Sequence, residues 1–255
     1  MDIAKNLQLT GKTAVITGAS KGIGEAIAEA LGQAGARVIV SSRKQEAVET
    51  VAERFRAGGI DAVAVAANVG QTEDLEALVR QSIEAYGGID ILVNNAAANP
   101  VFGPVENTEP WAFQKIMDVN VKGPFELAKL ALPSMRARGG GAIVNISSIG
   151  GLSPEPQLGI YSVSKAALIS LTKVLAKEWG AYGIRVNAIC PGLIKTKFSE
   201  ALWSNEHIVK YMTAQLPIPR VGTVEEIAGL ALLLAAPAAS YCTGAVFTAD
   251  GGYTI

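Results

Sequence analysis

The sequence predicts an α/β protein built on one doubly wound parallel sheet of seven strands, with helices on both faces. Short β-branched runs alternate with longer amphipathic stretches along the chain. Several of the runs are apolar at every position, which is typical of strands that are covered by helices on both faces. Repeated strand–helix units place successive strands parallel in one sheet. No Ser- or Pro-rich linker divides the 255 residues, so we expect residues 1–255 to form a single domain.

The predicted strands alternate with six predicted helices. The strands are expected at residues 13–17, 37–41, 62–66, 89–93, 142–146, 185–189 and 245–248. The helices are expected at residues 23–33, 45–57, 72–86, 110–138, 161–182 and 224–234. One segment breaks the alternation, because residues 195–222 mix large apolar side chains with polar ones and two prolines. A long insertion beside strand ends is more typical of a lid than of a linker, and we expect a substrate lid there.

The composition argues against several classes of partner. Lys and Arg number 22 and Asp and Glu number 23, for a formal charge of -1. This balance gives no electrostatic reason to expect nucleic acid or an anionic membrane as a partner. The first nine residues lack the apolar core of a secretion signal, and the most apolar stretch, residues 227–239, is too short to span a bilayer. We therefore expect a soluble cytoplasmic protein.

Cysteine and histidine are too few for most metal or disulfide chemistry. Cys190 and Cys242 have no metal-ligand spacing and cannot build a disulfide framework, so we expect two reduced thiols. His207 is the only histidine, which argues against His-based zinc sites and Ser-His-Asp triads. We expect no metal site, and we expect His207 at the surface.

A glycine-rich turn joins the first predicted strand to the first predicted helix, in the order Thr17-Gly18-Ala19-Ser20-Lys21-Gly22-Ile23-Gly24. Glycines are needed where the backbone turns tightly, where a pyrophosphate approaches the main chain, and where a helix presses on a strand. The helix that begins there directs N–H groups and positive partial charge at phosphates. At the first strand–helix junction of an α/β chain, this turn predicts dinucleotide binding. The predicted contacts are Gly18, Ser20, Lys21, Gly22, Ile23 and Gly24.

The end of the second strand indicates which dinucleotide is bound. Sites that prefer NAD carry an acidic residue about 20 residues beyond the glycine turn, which holds the ribose 2′-hydroxyl. Here Ser42 stands at that place and Arg43 follows it. Arg offers a planar fork that suits phosphate oxygens, and Lys21 can reach the same phosphate. We therefore predict NADP(H) rather than NAD(H). The alternative is that Lys21, Arg43 and Lys44 are only solvated surface charges.

Tyr161 and Lys165 carry the predicted acid–base chemistry. A separation of four residues places them on one helix face. A free tyrosine has a pKa near ~10, and a nearby ammonium together with an oxidised nicotinamide is expected to lower it. Ser147 and Ser148 end the fifth predicted strand, where ligands bind in an open α/β sheet. Both serines could instead be simple helix caps.

In these motifs the chain resembles the short-chain dehydrogenase/reductase family, which has a Rossmann-type fold and the pattern T-G-x-x-x-G-x-G. The resemblance implies that Ser148, which is thirteen residues before Tyr161, polarises the substrate oxygen. It implies that Tyr161 exchanges the proton and that Lys165 binds the ribose hydroxyls. Asn120 matches the family's helix asparagine, whose backbone carbonyl holds a water linked to the lysine. The catalytic set implied by the resemblance is Asn120, Ser148, Tyr161 and Lys165.

Further motifs extend the resemblance along the chain. Asn94-Asn95-Ala96-Ala97 is similar to the family's N-N-A-G, and Asn68 stands where the family usually has an aspartate near the adenine. The segment 190–196 resembles P-G-x-x-x-T, whose backbone and threonine bond the nicotinamide carboxamide and so fix which ring face gives up hydride. The additional cofactor contacts implied are Asn68, Val69, Asn95, Ala96, Tyr161, Lys165, Pro191, Gly192, Ile194 and Thr196.

Within the family the chain looks most like NADP-dependent carbonyl and retinal reductases of the DHRS type, on Ser41 to Gln45, Asn99-Pro100 and residues 191–196. This implies an enzyme that interconverts a carbonyl and an alcohol in a homotetramer or homodimer. It is also similar to 3-oxoacyl-carrier-protein reductases, where Arg136 and Arg138 could meet the acidic carrier.

Two alternatives remain at this point. One is a regulatory NADP-binding protein on the same scaffold, and the other is an epimerase or dehydratase with bound nicotinamide. The expected substrate pocket is mostly apolar and uncharged, which suits a ketone, an aldehyde or an acyl group. Its predicted residues are Ala97, Asn99, Val101, Phe102, Leu152, Pro156, Leu193, Phe198 and Trp203.

Overall fold

The computed structural model describes residues 4–204, 206–214 and 216–255. Seven parallel strands form one sheet in the order β3-β2-β1-β4-β5-β6-β7. The strands are β1 (Thr13–Thr17), β2 (Arg37–Ser42), β3 (Ala62–Ala66), β4 (Ile91–Asn94), β5 (Gly141–Ile146), β6 (Ile184–Pro191) and β7 (Val246–Ala249). The predicted fold class is confirmed.

Helices cover both faces of the sheet. They are α1 (Gly22–Gln33), α2 (Gln45–Ala57), α3 (Thr72–Tyr86), α4 (Pro110–Met117), α5 (Gly123–Ala137), α6 (Gly159–Trp179), α7 (Glu200–Trp203), α8 (Glu206–Ala214) and α9 (Val224–Ala235). Ala14 and Ile16 of β1 pack in one core with α1, α2 and α9, whereas Val15 packs in a second core with α3, α5 and α6. The alternation along β1 follows from the two-residue period of a strand, and it explains why these strands are apolar at every position.

The helix predicted over residues 110–138 is interrupted. Between α4 and α5 lies a π-turn, Asp118–Lys122, in which the Gly123 N–H donates to the Asp118 carbonyl five residues back. Pro124 has no N–H to offer the Asn120 carbonyl, so a continuous α-helix would leave that carbonyl unbonded. Gly123 also lies so close to the Val69 carbonyl that a Cβ would overlap it. Interruptions of this kind are frequent at functional sites.

The segment 195–222 forms an insertion between β6 and α9 that contains α7 and α8. Its two ends are held together, because Lys195 N donates to the Gly222 carbonyl at 2.9 Å and Gly222 N donates to the Leu193 carbonyl at 2.9 Å. Its role as a lid stays a prediction. The expectation about the His207 side chain lies outside the described residues.

Helix α6 with its following turn, Gly159–Tyr182, is long and apolar enough to cross a membrane by length and composition alone. It packs on the sheet instead, and its buried Thr172 accepts a hydrogen bond from Asn145 of β5 at 2.9 Å. We therefore interpret α6 as a core helix. It begins two residues earlier than predicted, at Gly159, which places Tyr161 within its first turn.

Candidate active site

The glycine turn after β1 is shaped by close backbone contacts. Gly18 and Gly22 both have a φ of 65°, in the left-handed region that favours glycine. A Cβ on Gly18 would lie 2.8 Å from Asn95 Nδ2, and a Cβ on Gly24 would overlap the same atom and the Gly18 carbonyl. Only glycine fits these positions, so the turn leaves an open backbone surface of the kind a pyrophosphate needs.

Asn95 holds this turn from the neighbouring strand. Its Nδ2 donates to the Thr17 carbonyl at 2.9 Å and to the Gly18 carbonyl at 3.2 Å. The Thr17 hydroxyl in turn accepts the N–H groups of Asn95 and Ala96, both at 3.1 Å. The Asn95 amide group therefore shapes the glycine turn, a structural role in addition to the cofactor contact implied for it.

The start of α1 faces the segment that follows β6. Lys21 precedes the helix, and among the described residues no side chain caps its first N–H groups. A Cβ on Gly22 would lie 3.5 Å from Thr196 Cβ, so the glycine turn and the Pro191–Thr196 segment meet. The glycine surface, the open helix terminus and the adjoining threonine together fit a dinucleotide.

The end of β2 lies beside the same turn, because Ala19 N donates to the Ser41 carbonyl at 2.9 Å. Ser42 is half-buried, whereas Lys21 and Arg43 are exposed, at the edge where the ribose 2′ position is expected. Asn68, after β3, uses its Oδ1 to accept the Gly70 N–H at 3.2 Å. The predicted adenosine-side residues are thus brought to one edge of the sheet, and Val69 beside them is buried.

Ser148, Tyr161 and Lys165 are brought together at the carboxyl ends of β5 and β6. Ser148 Oγ accepts the Gly150 N–H at 3.1 Å, as a cap of a short 3-10 turn, and the Ser148 side chain also acts on the Tyr161 hydroxyl, whose pKa it lowers. Ser148 is therefore a cap that also lies beside Tyr161, so the capping alternative does not exclude the predicted catalytic role. Lys165 is 2% exposed; its Nζ donates to the Ile146 carbonyl at 2.8 Å and lies 5.5 Å from the Tyr161 ring centre.

Burial determines the pKa directions of Tyr161 and Lys165 within the chain itself. Burial raises the pKa of Tyr161 to about 12, and the hydrogen bond with Ser148 opposes this only in part. Burial also lowers the pKa of Lys165 to about 8. Removing water from both groups disfavours their charged forms, and burial is the largest cause of each shift. The chain's own groups therefore favour the neutral phenol at Tyr161, and the predicted lowering, which includes an oxidised nicotinamide beside the ring, stays a prediction.

Asn120 connects the loop after β4 to the catalytic helix. Its Oδ1 accepts the Ala98 N–H at 2.8 Å, and its Nδ2 donates to the Ala98 carbonyl at 3.0 Å and to Ser164 Oγ at 3.0 Å. Ser164 Oγ donates onward to the Tyr161 carbonyl at 2.6 Å. Sequence reasoning predicted Asn120 for its backbone carbonyl but missed Ser164 as the link between its side chain and Tyr161.

A second buried chain of polar groups also escaped the sequence analysis. Asn94 Nδ2 donates to Asn145 Oδ1 at 2.8 Å, and Asn145 Nδ2 donates to Thr172 Oγ1 at 2.9 Å. Ser147 Oγ donates to the Lys165 carbonyl at 2.8 Å. These bonds fix α6 against the sheet, and the Ser147 bond does so at Lys165 itself. The available signal was the pair of asparagines in two otherwise apolar strands.

Two cavities lie near the catalytic residues. A cavity of about 360 Å³ adjoins Tyr161 and is lined by the predicted residues Asn99, Val101 and Phe102. Leu193 lines a second cavity of about 200 Å³, under the insertion and beside the carboxyl-terminal segment.

Five predicted pocket residues line neither of these two cavities: Ala97, Leu152, Pro156, Phe198 and Trp203. The Phe198 ring lies 6.2 Å from the Tyr161 ring, whereas the Trp203 indole donates to the Thr196 carbonyl at 2.6 Å and holds the insertion. As expected, the described residues that line the cavity beside Tyr161 are uncharged, but neutral polar residues stand among the apolar ones. These residues, which the sequence analysis missed, are Asn107, Thr108 and Gln157.

Comparison with known proteins gives the family. The family model described as Enoyl-(Acyl carrier protein) reductase matches residues 18–254. Dehydrogenase/reductase SDR family member 4 of Sus scrofa is 43% identical over 250 residues, covering 98% of this chain and 90% of the relative. An uncharacterized oxidoreductase of Thermotoga maritima is 41% identical over 255 residues, covering 97% of this chain and 99% of the relative.

Solved structures agree with this. A gluconate 5-dehydrogenase from Burkholderia cenocepacia, in complex with NADP and tartrate, has a TM-score of 0.95 at 33% identity, covering 99% of this chain and 98% of that chain. A 7α-hydroxysteroid dehydrogenase, complexed with NADH and 7-oxo glycochenodeoxycholic acid, has a TM-score of 0.95 at 36% identity, with the same coverage of 99% and 98%. The chain belongs to the short-chain dehydrogenase/reductase family and is an oxidoreductase of alcohols and carbonyl compounds.

Proposed function

We propose that the protein interconverts a carbonyl and an alcohol by hydride transfer with NADP(H), and that Tyr161 is its general acid and base. The observation that carries this proposal is the cluster of Ser148, Tyr161 and buried Lys165 at the carboxyl edge of the sheet, the edge that also carries the glycine turn. When bound, the nicotinamide supplies or accepts the hydride. The chain's own residues bind, orient and move the proton.

In the reductive direction, the Ser148 and Tyr161 hydroxyls both hold the carbonyl oxygen of the substrate. The raised pKa of Tyr161 keeps the phenol protonated at neutral pH, so it has a proton to deliver as negative charge develops on that oxygen. Lys165 Nζ has two hydrogens beyond the one given to the Ile146 carbonyl, and these suit ribose hydroxyls. The Asn120 carbonyl, which Pro124 cannot engage, suits a water that returns the proton to Lys165.

Replacing Tyr161 by Phe tests the proposal directly. We expect the turnover number to fall by about 10³-fold, because the substrate oxygen loses its proton donor, while NADPH binding persists. Loss of NADPH absorbance with a panel of ketones and aldehydes measures turnover, and NADPH fluorescence measures binding. Substantial turnover in the variant would overturn the assignment of Tyr161. A protein that binds NADPH and consumes it with none of these compounds would support a regulatory role instead.

The preference for NADP(H) rests on the charges at the end of β2. Ser42 and the exposed side chains of Lys21 and Arg43 stand where a carboxylate would favour NAD(H). We expect Arg43→Ala to lower kcat/KM for NADPH by about tenfold and to leave that for NADH nearly unchanged, because a charge-assisted hydrogen bond to phosphate is lost. Steady-state rates with both cofactors check this. Equal loss for both would contradict the assignment.

Reduction of a carrier-bound acyl group is the second candidate, and the structure gives it less support. Arg136 lies over the Tyr182 ring at 4.0 Å, and Arg138 donates to Asp90 at 2.9 Å. Both cations that could meet an acidic carrier are therefore already engaged. We expect free carbonyl compounds to be reduced at rates similar to those of their carrier-bound forms.

The exposed aromatic residues of α4 and α5 favour assembly as a homodimer or homotetramer. Trp111, Phe113 and Phe125 are 61%, 44% and 39% exposed on these helices. Burial of such side chains between copies would remove apolar surface from water. Light scattering after size exclusion measures the mass in solution.

A further inference from the structure

The cavity beside Tyr161 has a lining that limits the charge of its ligand. Besides Tyr161, four of its residues are polar but uncharged: Asn99, Asn107, Thr108 and Gln157. Within the described chain, none of the side chains that line this cavity is charged. A carboxylate placed there would lose water without gaining a cation, whereas a hydroxyl or carbonyl group could pair with the amides. The lining therefore favours an uncharged substrate that carries a second polar group.

Gln157 stands out within this lining because of its backbone. Its φ is 71°, and among the described residues it is the only residue other than glycine with a positive φ. Its carbonyl accepts the Gly103 N–H at 3.1 Å, which joins the two loops that form the cavity walls. Glycine would adopt the same backbone without strain and make the same bond. The strained backbone therefore does not account for a glutamine here, and its side chain is the remaining difference.

The position of Gln157 in the fold brings it to the substrate cavity. Gln157 lies four residues before Tyr161, is exposed, and lines the same cavity. Strained residues that persist at a binding cavity are a recognised sign of function. An amide offers both a donor and an acceptor, so it can pair with a hydroxyl or with a carbonyl oxygen.

We propose that Gln157 is a specificity residue, whose amide recognises a neutral hydroxyl or carbonyl group next to the reacting carbon of the substrate. This inference rests on the proposed function and adds the substrate class, an uncharged carbonyl compound with an adjacent polar group. It distinguishes this site from one that selects a carboxylate or a wholly apolar ketone.

Three probes test the inference: 1-hydroxy-2-butanone, its isostere 3-pentanone, and the charged 2-oxobutanoate. The variants are Gln157→Gly and Gln157→Met, which both remove the amide, and Gln157→Asn, which keeps an amide and tolerates the left-handed backbone. The measured quantity is kcat/KM for the hydroxyketone divided by that for 3-pentanone. Comparing this ratio between the wild-type protein and each variant cancels the different intrinsic reactivities of the two ketones.

We expect the ratio to fall by about tenfold in the Gly and Met variants, which is the loss of one hydrogen bond, because reduction of the hydroxyketone falls more than reduction of 3-pentanone. The Asn variant retains part of the preference. The Gly variant should also unfold at a higher temperature than the Met variant, since only Gly relieves the strained backbone.

An unchanged ratio in both the Gly and Met variants would overturn the inference. An equal loss for both ketones would also overturn it, because the residue would then be structural. Turnover of 2-oxobutanoate that falls as much as that of the hydroxyketone would assign the position to acids and overturn it too. A wild-type protein that reduces no carbonyl compound would overturn the proposed function itself, a result distinct from normal turnover with a flat ratio.

Discussion

Buried ionisable groups at the two ends of the sheet have different partners, which are mainly charged at the amino end and uncharged at the carboxyl end. At the amino end, the buried carboxylate of Asp90 accepts hydrogen bonds from Lys12 at 3.0 Å, from the Thr13 N–H at 3.0 Å and from Arg138 at 2.9 Å. At the carboxyl end, Lys165 donates to the Ile146 carbonyl at 2.8 Å and the group that acts on the Tyr161 hydroxyl is Ser148, so both partners are uncharged. The buried carboxylate at the amino end is thus paired with two cations, whereas the ionisable groups at the carboxyl end interact with uncharged groups.

The pKa directions follow from this difference. Burial alone would raise the pKa of Asp90, but the hydrogen bonds from Arg138, Thr13 and Lys12 outweigh burial and lower it. Burial dominates at Lys165 and Tyr161, so both are shifted toward their neutral forms. One edge of the sheet stabilises the fold, and the other holds groups whose protonation changes readily when a cofactor and a substrate bind.

The largest expected effect is at the amino end. Asp90→Ala should lower the free energy of unfolding by about 3 kcal/mol, because it leaves the Thr13 N–H buried without a partner and Arg138 without its carboxylate. Urea denaturation measures this, and kcat of the folded protein should be unchanged. In the wild type, the contribution of Asp90 is present above its ordinary pKa of 3.8 and is lost as pH falls through the lower folded value. A stable but inactive variant would contradict the division between the two ends.

At the carboxyl end, Lys165→Met should abolish turnover yet raise the free energy of unfolding by roughly 2 kcal/mol at pH 7, since a buried ammonium is removed. The folded pKa of about 8 lies below the ordinary 10.5. Between these values the unfolded wild-type protein binds more protons, so wild-type stability rises with pH there. The advantage of the variant should therefore be largest below pH 8 and shrink toward pH 10.5. Urea midpoints across this range check it, and a constant difference would contradict the shift.

Ser164→Ala should act mainly on catalysis, because the Asn120–Ser164 link ends at the Tyr161 carbonyl. We expect kcat to fall by about tenfold with little change in KM for NADPH, and stability to fall by about 1 kcal/mol. Thr172→Val is the matched control, since Thr172 is also buried on α6 and bonds Asn145. The control should lose similar stability and keep its kcat. Equal kcat losses in both variants would make Ser164 a merely structural residue.

The smallest effect is expected for Lys12→Ala. The Lys12 side chain is 47% exposed, so its ion pair with Asp90 is screened by solvent. We expect a loss below about 1 kcal/mol that decreases further at high salt. Urea denaturation with and without added salt measures it. A loss of stability as large as that of Asp90→Ala would contradict the small contribution expected from this solvent-exposed ion pair.

The sequence predicted those features that depend on local pattern. The seven strands, the glycine turn and the spacing of Ser148, Tyr161 and Lys165 are readable along the chain, because strand and helix periods place residues on defined faces. The π-turn at Asp118–Lys122 could have been anticipated from Gly123-Pro124, since proline removes a helical N–H. Apolar periodicity alone concealed it.

Features that depend on contacts across the sheet were not readable. The Asn94–Asn145–Thr172 chain requires the register of β4 against β5 and the position of α6, which no local pattern sets. The raised pKa of Tyr161 requires the degree of burial, and the spacing of Tyr161 and Lys165 carries no information about it. The polar cavity lining arises because the loop after β4 meets the loop before α6, through the Gly103–Gln157 hydrogen bond.

The strand order also determines at which stage of folding the nucleotide cleft is complete. Strands β1 to β3 form one side of the sheet. The chain then crosses back to the middle, where β4 pairs with β1, and β5 to β7 extend the sheet on the other side. The glycine turn belongs to the first half of the sheet, β1 to β3, and Ser148 and Tyr161 belong to the second half, β4 to β7. Asn95, which follows β4, bonds the glycine turn across the boundary between β1 and β4. Neither half alone carries a complete nucleotide cleft. A ligand that binds across this boundary stabilises only the fully assembled sheet.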